Sequence, residues 1–155
     1  MIPVLTYHAL NISGNDYATN DHVAFASDLE TIDRLGWRIE PLHRIVDVLF
    51  YAGSALPEKT IALTLDDATD FDFTDLPHPT AGRQRSMLNI MRDFASRHPG
   101  RQPGLHATSF VIASPEARAA MDRACIIDQQ WMNDGWWPDA VASGLMGIAN
   151  HSWDH

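Results

Sequence analysis

The sequence predicts an α/β domain built around a parallel β-sheet. Five short β-rich segments alternate with segments whose apolar residues recur at helical spacing, and this alternation is typical of strand-helix-strand units. The chain has 155 residues, which suits one domain, and it shows neither an internal repeat nor an interdomain linker. Hydrophobic residues make up 45% and charged residues 20%, so the composition excludes the disordered and collagen-like classes.

The first two predicted strands flank the first predicted helix. Residues 3–7 form a short apolar run, and the polar segment 11–22 that follows contains the turn-forming sequence Ser-Gly-Asn-Asp. Apolar residues then recur every three or four positions and predict a helix over 23–35, which ends before Gly36. Residues 37–39 predict a brief second strand.

The middle of the chain contains the most apolar of the predicted strands. An apolar stripe at helical spacing predicts a second helix that runs to Gly53. Residues 60–65 are β-rich and almost continuously apolar, as strands covered on both faces are. This third strand ends at Asp66 and Asp67.

The second half of the chain continues the alternation. A proline-punctuated acidic stretch over 68–82 predicts a loop, and an apolar stripe over 87–95 predicts a third helix. Residues 107–113 predict a strand, 116–123 a short helix and 145–149 the last strand. Helices or long loops therefore separate all five strands, as parallel pairing requires.

Three of the five predicted strands end in titratable side chains. These are His8, the adjacent pair Asp66 and Asp67, and the pair His151 and His155. The carboxyl ends of parallel strands meet at one edge of a sheet. Two histidines four residues apart share one face if their segment is helical, and with a carboxylate they suit zinc, cobalt, nickel, iron or manganese. We therefore expect a metal centre at this edge, with one aspartate as ligand and the other free to accept a proton from water.

Two motifs resemble those of the polysaccharide deacetylase family, the NodB-homology proteins of carbohydrate esterase family 4. The segment 64–68, Thr-Leu-Asp-Asp-Ala, is similar to the family's T-F-D-D-G motif. The segment 150–155, Asn-His-Ser-Trp-Asp-His, is similar to its N-H-[ST]-x-x-H motif. Residues 3–8 and 107–111 also match family landmarks in order and approximate spacing, so the resemblance spans nearly the whole chain.

The resemblance implies a fold, a site and an activity. The fold is a distorted (β/α) barrel of the deacetylase type. Asp66 is the implied catalytic base, while Asp67, His151 and His155 bind one divalent transition metal, zinc in the first place and cobalt, nickel or manganese as alternatives. The implied reaction is metal-dependent hydrolysis of an N-acetyl or O-acetyl group on a carbohydrate, with release of acetate. His8 is a candidate substitute for the general acid, or else a packing residue of the first strand.

The chain departs from the family pattern in three respects. Ala68 stands where the family has a glycine, which reaches positive φ more easily. Residues 68–82 lengthen the segment after the aspartates and are interpreted as a loop insertion near the active site. The family's later motifs, which supply an orienting arginine, an Asp-Trp wall and a histidine acid, have no counterpart. Residues 1–155 are therefore interpreted as one domain that forms the N-terminal portion of an incomplete barrel, since a complete one needs about 250 residues.

An incomplete barrel has consequences for behaviour and function. Its sheet edges carry unpaired N–H and C=O groups, so we expect self-association and no deacetylase activity from this chain alone. The expected substrate is a carbohydrate or a small amide. Two alternative functions stay open: an amidohydrolase of the same family acting on a small amide or cyclic imide, and a non-catalytic metal- or glycan-binding fragment.

Charge and termini restrict the partners and the location. The net charge is −9 and no run of basic residues occurs, so nucleic acid is not an expected partner. The N-terminus lacks the basic start and apolar stretch of a signal peptide, and no apolar window is long enough for a membrane span, which predicts a cytoplasmic protein without membrane association. The lone cysteine, Cys125, is expected to be a buried, inert thiol.

The remaining conspicuous side chains have structural interpretations. The acidic residues of 68–82 lack the glycine and glutamate of a calcium loop, so a solvated acidic loop is expected at Asp70, Asp72 and Asp75. Four aromatic residues either stack on sugar rings or pack in the core, namely Phe71, Phe73, Trp136 and Trp137. The histidines without a paired partner in the sequence are treated as surface or structural residues: His22, His43, His78, His98 and His106.

Overall fold

A computed structural model describes residues 1–51, 55–126 and 128–155. Its strands are β1 (Val4–His8), β2 (Arg38–Ile39), β3 (Thr60–Asp66), β4 (Leu76–His78), β5 (Gly82–Gln84), β6 (Ala107–Val111) and β7 (Met146–Asn150). The central sheet has the parallel order β1-β3-β6-β7, and β2 pairs with the beginning of β3. The five predicted strands and their parallel arrangement are thus confirmed, whereas the antiparallel hairpin of β4 and β5 was not predicted.

Six helices accompany the sheet in the described ranges. They are α1 (Asp21–Arg34), α2 (Leu42–Tyr51), α3 (Asp70–Phe73), α4 (Met87–Arg97), α5 (Pro115–Cys125) and α6 (Trp137–Ala142). The four predicted helices correspond to α1, α2, α4 and α5, and the predicted end of the second at Gly53 lies outside the described residues. The short α3 and α6 span too few residues to show a period. None of the described helices is long and apolar enough to cross a membrane.

Local sequence explains where the long helices begin and end. Asn20 caps α1 by accepting a hydrogen bond from the backbone N–H of His22, and the chain leaves this helix through Gly36 at φ 73°. Ser86 and Ser114 cap α4 and α5 in the same way. Each of these boundaries follows a rule that depends only on neighbouring residues, which is why the sequence predicted them to within a few positions.

The core lies on one face of the sheet. Leu63 and Leu65 of β3 belong to one hydrophobic cluster with Phe25 of α1 and Phe94 of α4, and all four side chains are buried. These two helices pack against each other across this face. Burial of this kind is worth roughly 2 kcal/mol per large side chain, so β3 is held mainly by its apolar contacts.

The opposite face of the sheet is exposed along β1, although Ala62 and Thr64 of β3 are buried on it. Thr6 of β1 lies 2.9 Å from Thr64 of β3, hydroxyl to hydroxyl, and Val4 of β1 is 47% exposed. Strands β1 and β7 form the two edges, so the described residues contain no closed barrel. What the structure shows is a mixed α/β fold with a mostly parallel central sheet.

The prediction for the single cysteine is wrong. Cys125 is the last residue of α5 and is exposed, not buried. The apolar neighbours that suggested burial belong to the end of a helix whose buried residues are polar, among them Arg118 and Asp122. The sequence around a helix end does not show which side of it faces solvent.

His106 is a buried histidine at the start of β6. Its side chain is 9% exposed, its Nδ1 has no hydrogen-bond partner among the described residues, and its ring lies 5.7 Å from that of the exposed His43. Burial, and secondarily the proximity of His43, lowers the pKa of His106 to about 4. The folded protein therefore keeps this imidazole neutral, while the unfolded chain protonates it near its ordinary pKa.

This difference predicts a pH-dependent contribution to stability. Stabilisation by neutral His106 is complete above the unfolded pKa of 6.5 and is lost as the pH falls toward 4. Relative to His106→Gln, the wild type should therefore lose at most about 3 kcal/mol of unfolding free energy between pH 7.5 and pH 4. Urea unfolding of both proteins at pH 7.5 and pH 4 measures this difference in unfolding free energy. His43→Gln should retain most of the pH dependence of stability, because burial lowers the pKa of His106 more than His43 does. If the stability of the wild type and of His106→Gln changes equally with pH, the assignment to His106 is wrong.

Candidate metal centre

The carboxyl edge of the sheet brings the predicted titratable residues to one region. β1 ends at His8, β3 at Asp66 and β7 at Asn150, the residue before His151. Asp67 follows β3 directly. The arrangement is the one expected from parallel pairing, since all three strands point the same way.

The chain leaves β3 through a left-handed turn. Asp67 has φ 71° and Ala68 has φ 52°, and Ala68 is completely buried. Positive φ is uncommon for residues other than glycine and costs about 1–3 kcal/mol where it occurs. Ala68 thus adopts a backbone conformation that a glycine would adopt without strain. The turn still places the Asp67 side chain next to His151 and His155.

Three side chains form a compact cluster with the composition of a metal site. Oδ1 of Asp67 lies 3.2 Å from Nε2 of His155 and 3.5 Å from Nε2 of His151. One ligand atom from each residue lies within 4.8 Å of the other two. In the described part of the chain, this is the one group of three or more such residues with that spacing.

The donor atoms fit a divalent cation. Oδ1 of Asp67 is buried and has no hydrogen-bond partner among residues 1–51, 55–126 and 128–155; both imidazole nitrogens are near, but neither approach has hydrogen-bond geometry. An unpaired buried carboxylate oxygen is unfavourable unless a cation compensates it. Ligands 2.0–2.2 Å from a tetrahedral zinc ion lie about 3.3–3.6 Å apart; the 3.5 Å separation of Asp67 from His151 falls within this range, and the 3.2 Å separation from His155 is slightly shorter. One carboxylate and two imidazoles leave a fourth position open.

The two histidines meet through a loop and not along a helix. Residues 151–155 have no helical structure, and Ser152 and His155 adopt positive φ. The backbone N–H of His151 donates to the carbonyl of Val111, and the N–H of His155 donates to Oγ of Ser152. The sequence analysis placed the two histidines on one face on the condition that their segment is helical. That condition is not met. The turn brings the rings to 5.2 Å between centroids by another route.

Asp66 and His8 lie beside each other but outside the three-residue cluster. They are register partners in the pairing of β1 with β3. Asp66 is half-buried, whereas His8 is exposed and its backbone N–H donates to Asp21. The structure thus places the two predicted catalytic residues next to each other at the strand ends, with Asp66 adjacent in sequence to Asp67.

The expectation of a solvated acidic loop is wrong, most clearly for Asp72. This residue is completely buried, and its Oδ2 accepts a 2.7 Å hydrogen bond from Oγ of Ser109 in β6. Burial raises the pKa of Asp72 to about 7, opposed by hydrogen bonds from Ser109 and from the backbone N–H of Thr69 and reinforced by Asp67 and Asp70. No sequence pattern marked this role: Thr69-x-x-Asp72 has the spacing of a helix capping box, but the Thr69 side chain makes no capping hydrogen bond.

The other two acidic residues of this segment are also engaged. Asp70 accepts hydrogen bonds from the backbone and side chain of Asn133. Asp75 accepts from Asn89, the backbone of Ser86 and Arg85. The stretch interpreted as an insertion therefore holds α3, β4 and the turn into β5, anchored to the rest of the molecule.

The aromatic residues near the site divide between core and periphery. Phe71 is completely buried and Trp136 is 7% exposed, so both pack in the core. Phe73 stacks on Trp136 at 5.8 Å between ring centroids, and Trp137 lies 4.9 Å below the guanidinium of Arg118. These contacts favour the packing interpretation over sugar stacking. The five unpaired histidines also lie outside the metal cluster.

Solved structures with the same fold include two deacetylases. No protein-family model matches the sequence, and neither does any curated protein sequence. The Streptococcus pyogenes deacetylase PplD, solved in complex with acetate, aligns with a TM-score of 0.58 and 16% identity over 97% of this chain and 55% of its own. A de-N-acetylase from Aggregatibacter actinomycetemcomitans aligns with a TM-score of 0.57 and 15% identity over 97% and 54%. The chain thus spans about half the length of these structures and shares their fold.

The cluster geometry predicts stoichiometric binding of one divalent transition metal. Elemental analysis after reconstitution with zinc should find about one equivalent. His151→Ala should lower the affinity by more than about 100-fold, because changes in residues behind the ligands alone cost about 10- to 100-fold. His98→Ala, which removes a half-exposed histidine paired with Glu30, should leave it unchanged. Less than half an equivalent in the wild type would contradict the prediction.

The left-handed turn predicts an unusual sensitivity at Ala68. Ala68→Val should lower the free energy of unfolding by about 2–6 kcal/mol, because a branched side chain is strained at this φ and overfills a buried position. Ala107→Val is the matched control, since Ala107 is equally buried but lies in a β-strand. Denaturant unfolding compares them, and an equal cost for the two variants would show that the turn conformation is unimportant.

Proposed function

We propose that this chain carries the metal- and water-binding part of a hydrolase that removes an acetyl group from a carbohydrate amide or ester. The observation that supports the proposal is the unpaired, buried Oδ1 of Asp67 beside two imidazole nitrogens, with a second carboxylate next to it in sequence. One carboxylate and two histidines that hold a cation, with an adjacent aspartate as base, are a set of groups that suits metal-assisted hydrolysis of an amide.

Each residue has a distinct role in this proposal. Asp67, His151 and His155 hold the cation, and Asp66 accepts the proton of the attacking water. When bound, a divalent ion such as zinc supplies a water of lowered pKa and charge that stabilises the developing oxyanion. Asp66 suits the role of base because it is half-buried at the end of a rigid strand, beside the ligand set but not part of it.

The shared fold supports the choice of an acetylated substrate. Both deacetylases named above align over nearly the whole chain, and the first binds acetate. In the proposed reaction the acetyl carbonyl is attacked, acetate leaves, and a free amine or hydroxyl remains on the carbohydrate. Protonation of the leaving group needs an acid, and His8 is the candidate within this chain because it is exposed and lies opposite Asp66 in the sheet.

Two other functions predict different behaviour from the same residues. A hydrolase of small amides or cyclic imides would act on a small imide and not on N-acetylglucosamine oligomers. A non-catalytic metal- or glycan-binding protein would bind zinc or sugar without releasing acetate. Parallel assays for acetate release, imide hydrolysis and glycan binding by the zinc-loaded protein therefore separate the three.

The assigned base gives a sharp test. In an acetate-releasing protein that contains this chain, Asp66→Asn should retain one equivalent of zinc and lose about 10²–10⁴-fold in acetate release from N-acetylglucosamine oligomers, because the amide cannot accept the proton. The measurement is metal content together with acetate release. Asp67→Asn is the companion variant and should lose the metal itself. If Asp66→Asn loses the metal and Asp67→Asn keeps it, the two roles are reversed.

A further inference from the structure

Asp72 is a buried carboxyl that the proposed reaction does not use. Its side chain is completely inaccessible, and its Oδ2 accepts a 2.7 Å hydrogen bond from Oγ of Ser109. Its other oxygen, Oδ1, has no hydrogen-bond partner in the described part of the chain. Burying a carboxyl with incomplete hydrogen bonding is unfavourable, so its contacts must provide a benefit that offsets this cost.

The contacts of Asp72 tie the turn after β3 to the next strand of the sheet. Thr69 comes directly after the left-handed residues Asp67 and Ala68, and its carbonyl accepts a 2.9 Å hydrogen bond from the backbone N–H of Asp72, so the position of Asp72 fixes the end of that turn. Ser109 is the register partner of Leu65, the last fully buried residue of β3. The buried carboxyl of Asp72 therefore attaches the segment from Asp66 to Asp72 to strand β6.

Strand β6 holds the other half of the cluster as well. It lies between β3 and β7, so Asp67 and His151 come from opposite sides of it. The carbonyl of Val111 in β6 accepts a 2.8 Å hydrogen bond from the N–H of His151. One strand without a metal ligand of its own thus positions both sides of the site, through the Ser109 hydroxyl and the Val111 carbonyl.

We infer that Asp72 is a positioning residue, which holds the turn so that Oδ1 of Asp67 faces His151 and His155. The inference rests on the proposed metal centre and adds to it a residue outside the ligand set. Asp67 and Ala68 both adopt positive φ, a conformation that residues other than glycine keep only when the surroundings impose it. The hydrogen bond of the Asp72 side chain to Ser109, together with the bond of its backbone N–H to the Thr69 carbonyl, supplies that constraint.

Cobalt binding tests the inference without any assay of activity. The 155-residue chain is titrated with Co²⁺ alone, and both the affinity and the visible absorption spectrum, which reports ligand geometry, are recorded. Asp72→Ala and Ser109→Ala should each lower the affinity about 10- to 100-fold and change the spectrum. Asp72→Asn keeps an acceptor oxygen for Ser109, so its affinity and spectrum should stay close to those of the wild type.

Ser86→Ala is the matched control. Ser86 is as completely buried as Ser109, and the substitution also removes one hydrogen bond, the one that caps α4. Ser86 bonds to Asp75 and Asn89 and to no residue of the cluster. This variant should lose thermal stability comparably to Ser109→Ala yet bind Co²⁺ with wild-type affinity and spectrum.

The possible results separate this inference from the function on which it rests. If the wild type binds Co²⁺ and both Asp72→Ala and Ser109→Ala bind it equally well, the positioning role is wrong and the metal centre stands. Equal losses in Asp72→Asn and Asp72→Ala would assign the effect to charge and overturn positioning. If Ser86→Ala lowers the Co²⁺ affinity as much as Ser109→Ala does, the positioning role is also wrong. If Asp72→Ala does not fold, the affinity and spectrum of Ser109→Ala decide the question. A wild type that binds no Co²⁺ overturns the proposed centre and the inference together.

Discussion

The backbone turn that follows β3 is the constraint on which the candidate centre depends. β3 is buried from Thr60 to Leu65 and paired on both sides, so the core sets its register, not the polar residues at its end. Asp66 is still part of the strand, and Asp67 is the first residue of a left-handed turn. The turn therefore gives the two neighbouring carboxylates different surroundings. Asp66 stays in the sheet beside His8, and Asp67 faces the two histidines of the cluster.

Charge is the second constraint on this region. The chain carries a net charge of −9, and the segment after β3 is rich in aspartate. Buried carboxyls require hydrogen bonds, a proton or a cation. Asp72 has a hydrogen bond from Ser109, and burial raises its pKa to about 7, which eases protonation. Asp67 has neither a hydrogen bond at Oδ1 nor a basic residue beside it other than two imidazoles, and this difference makes it the metal ligand of the proposal.

The residues of the candidate site all lie at one edge of the sheet, the edge formed by the carboxyl ends of its strands. One face is covered by α1 and α4 through a single large hydrophobic cluster, while Val4 on the other face is partly exposed. The deacetylases with the same fold are nearly twice as long as this chain, which covers 55% and 54% of them. The residues that hold the candidate cation nevertheless all lie in this half, at the ends of β3 and β7 and on either side of β6.

The sequence by itself determined the five central strands and the four longer helices, and it singled out the three residues that the fold brings together as a candidate metal site. It did so because helical and strand periodicities, capping residues and the side chains at strand ends are local properties. Only the tertiary structure decided that Asp72 is buried, that Cys125 is exposed and that a loop, not a helix, brings His151 and His155 together. Those outcomes depend on which distant segment packs over a residue: Ser109 reaches Asp72 from 37 positions away, and no pattern along the chain encodes that contact.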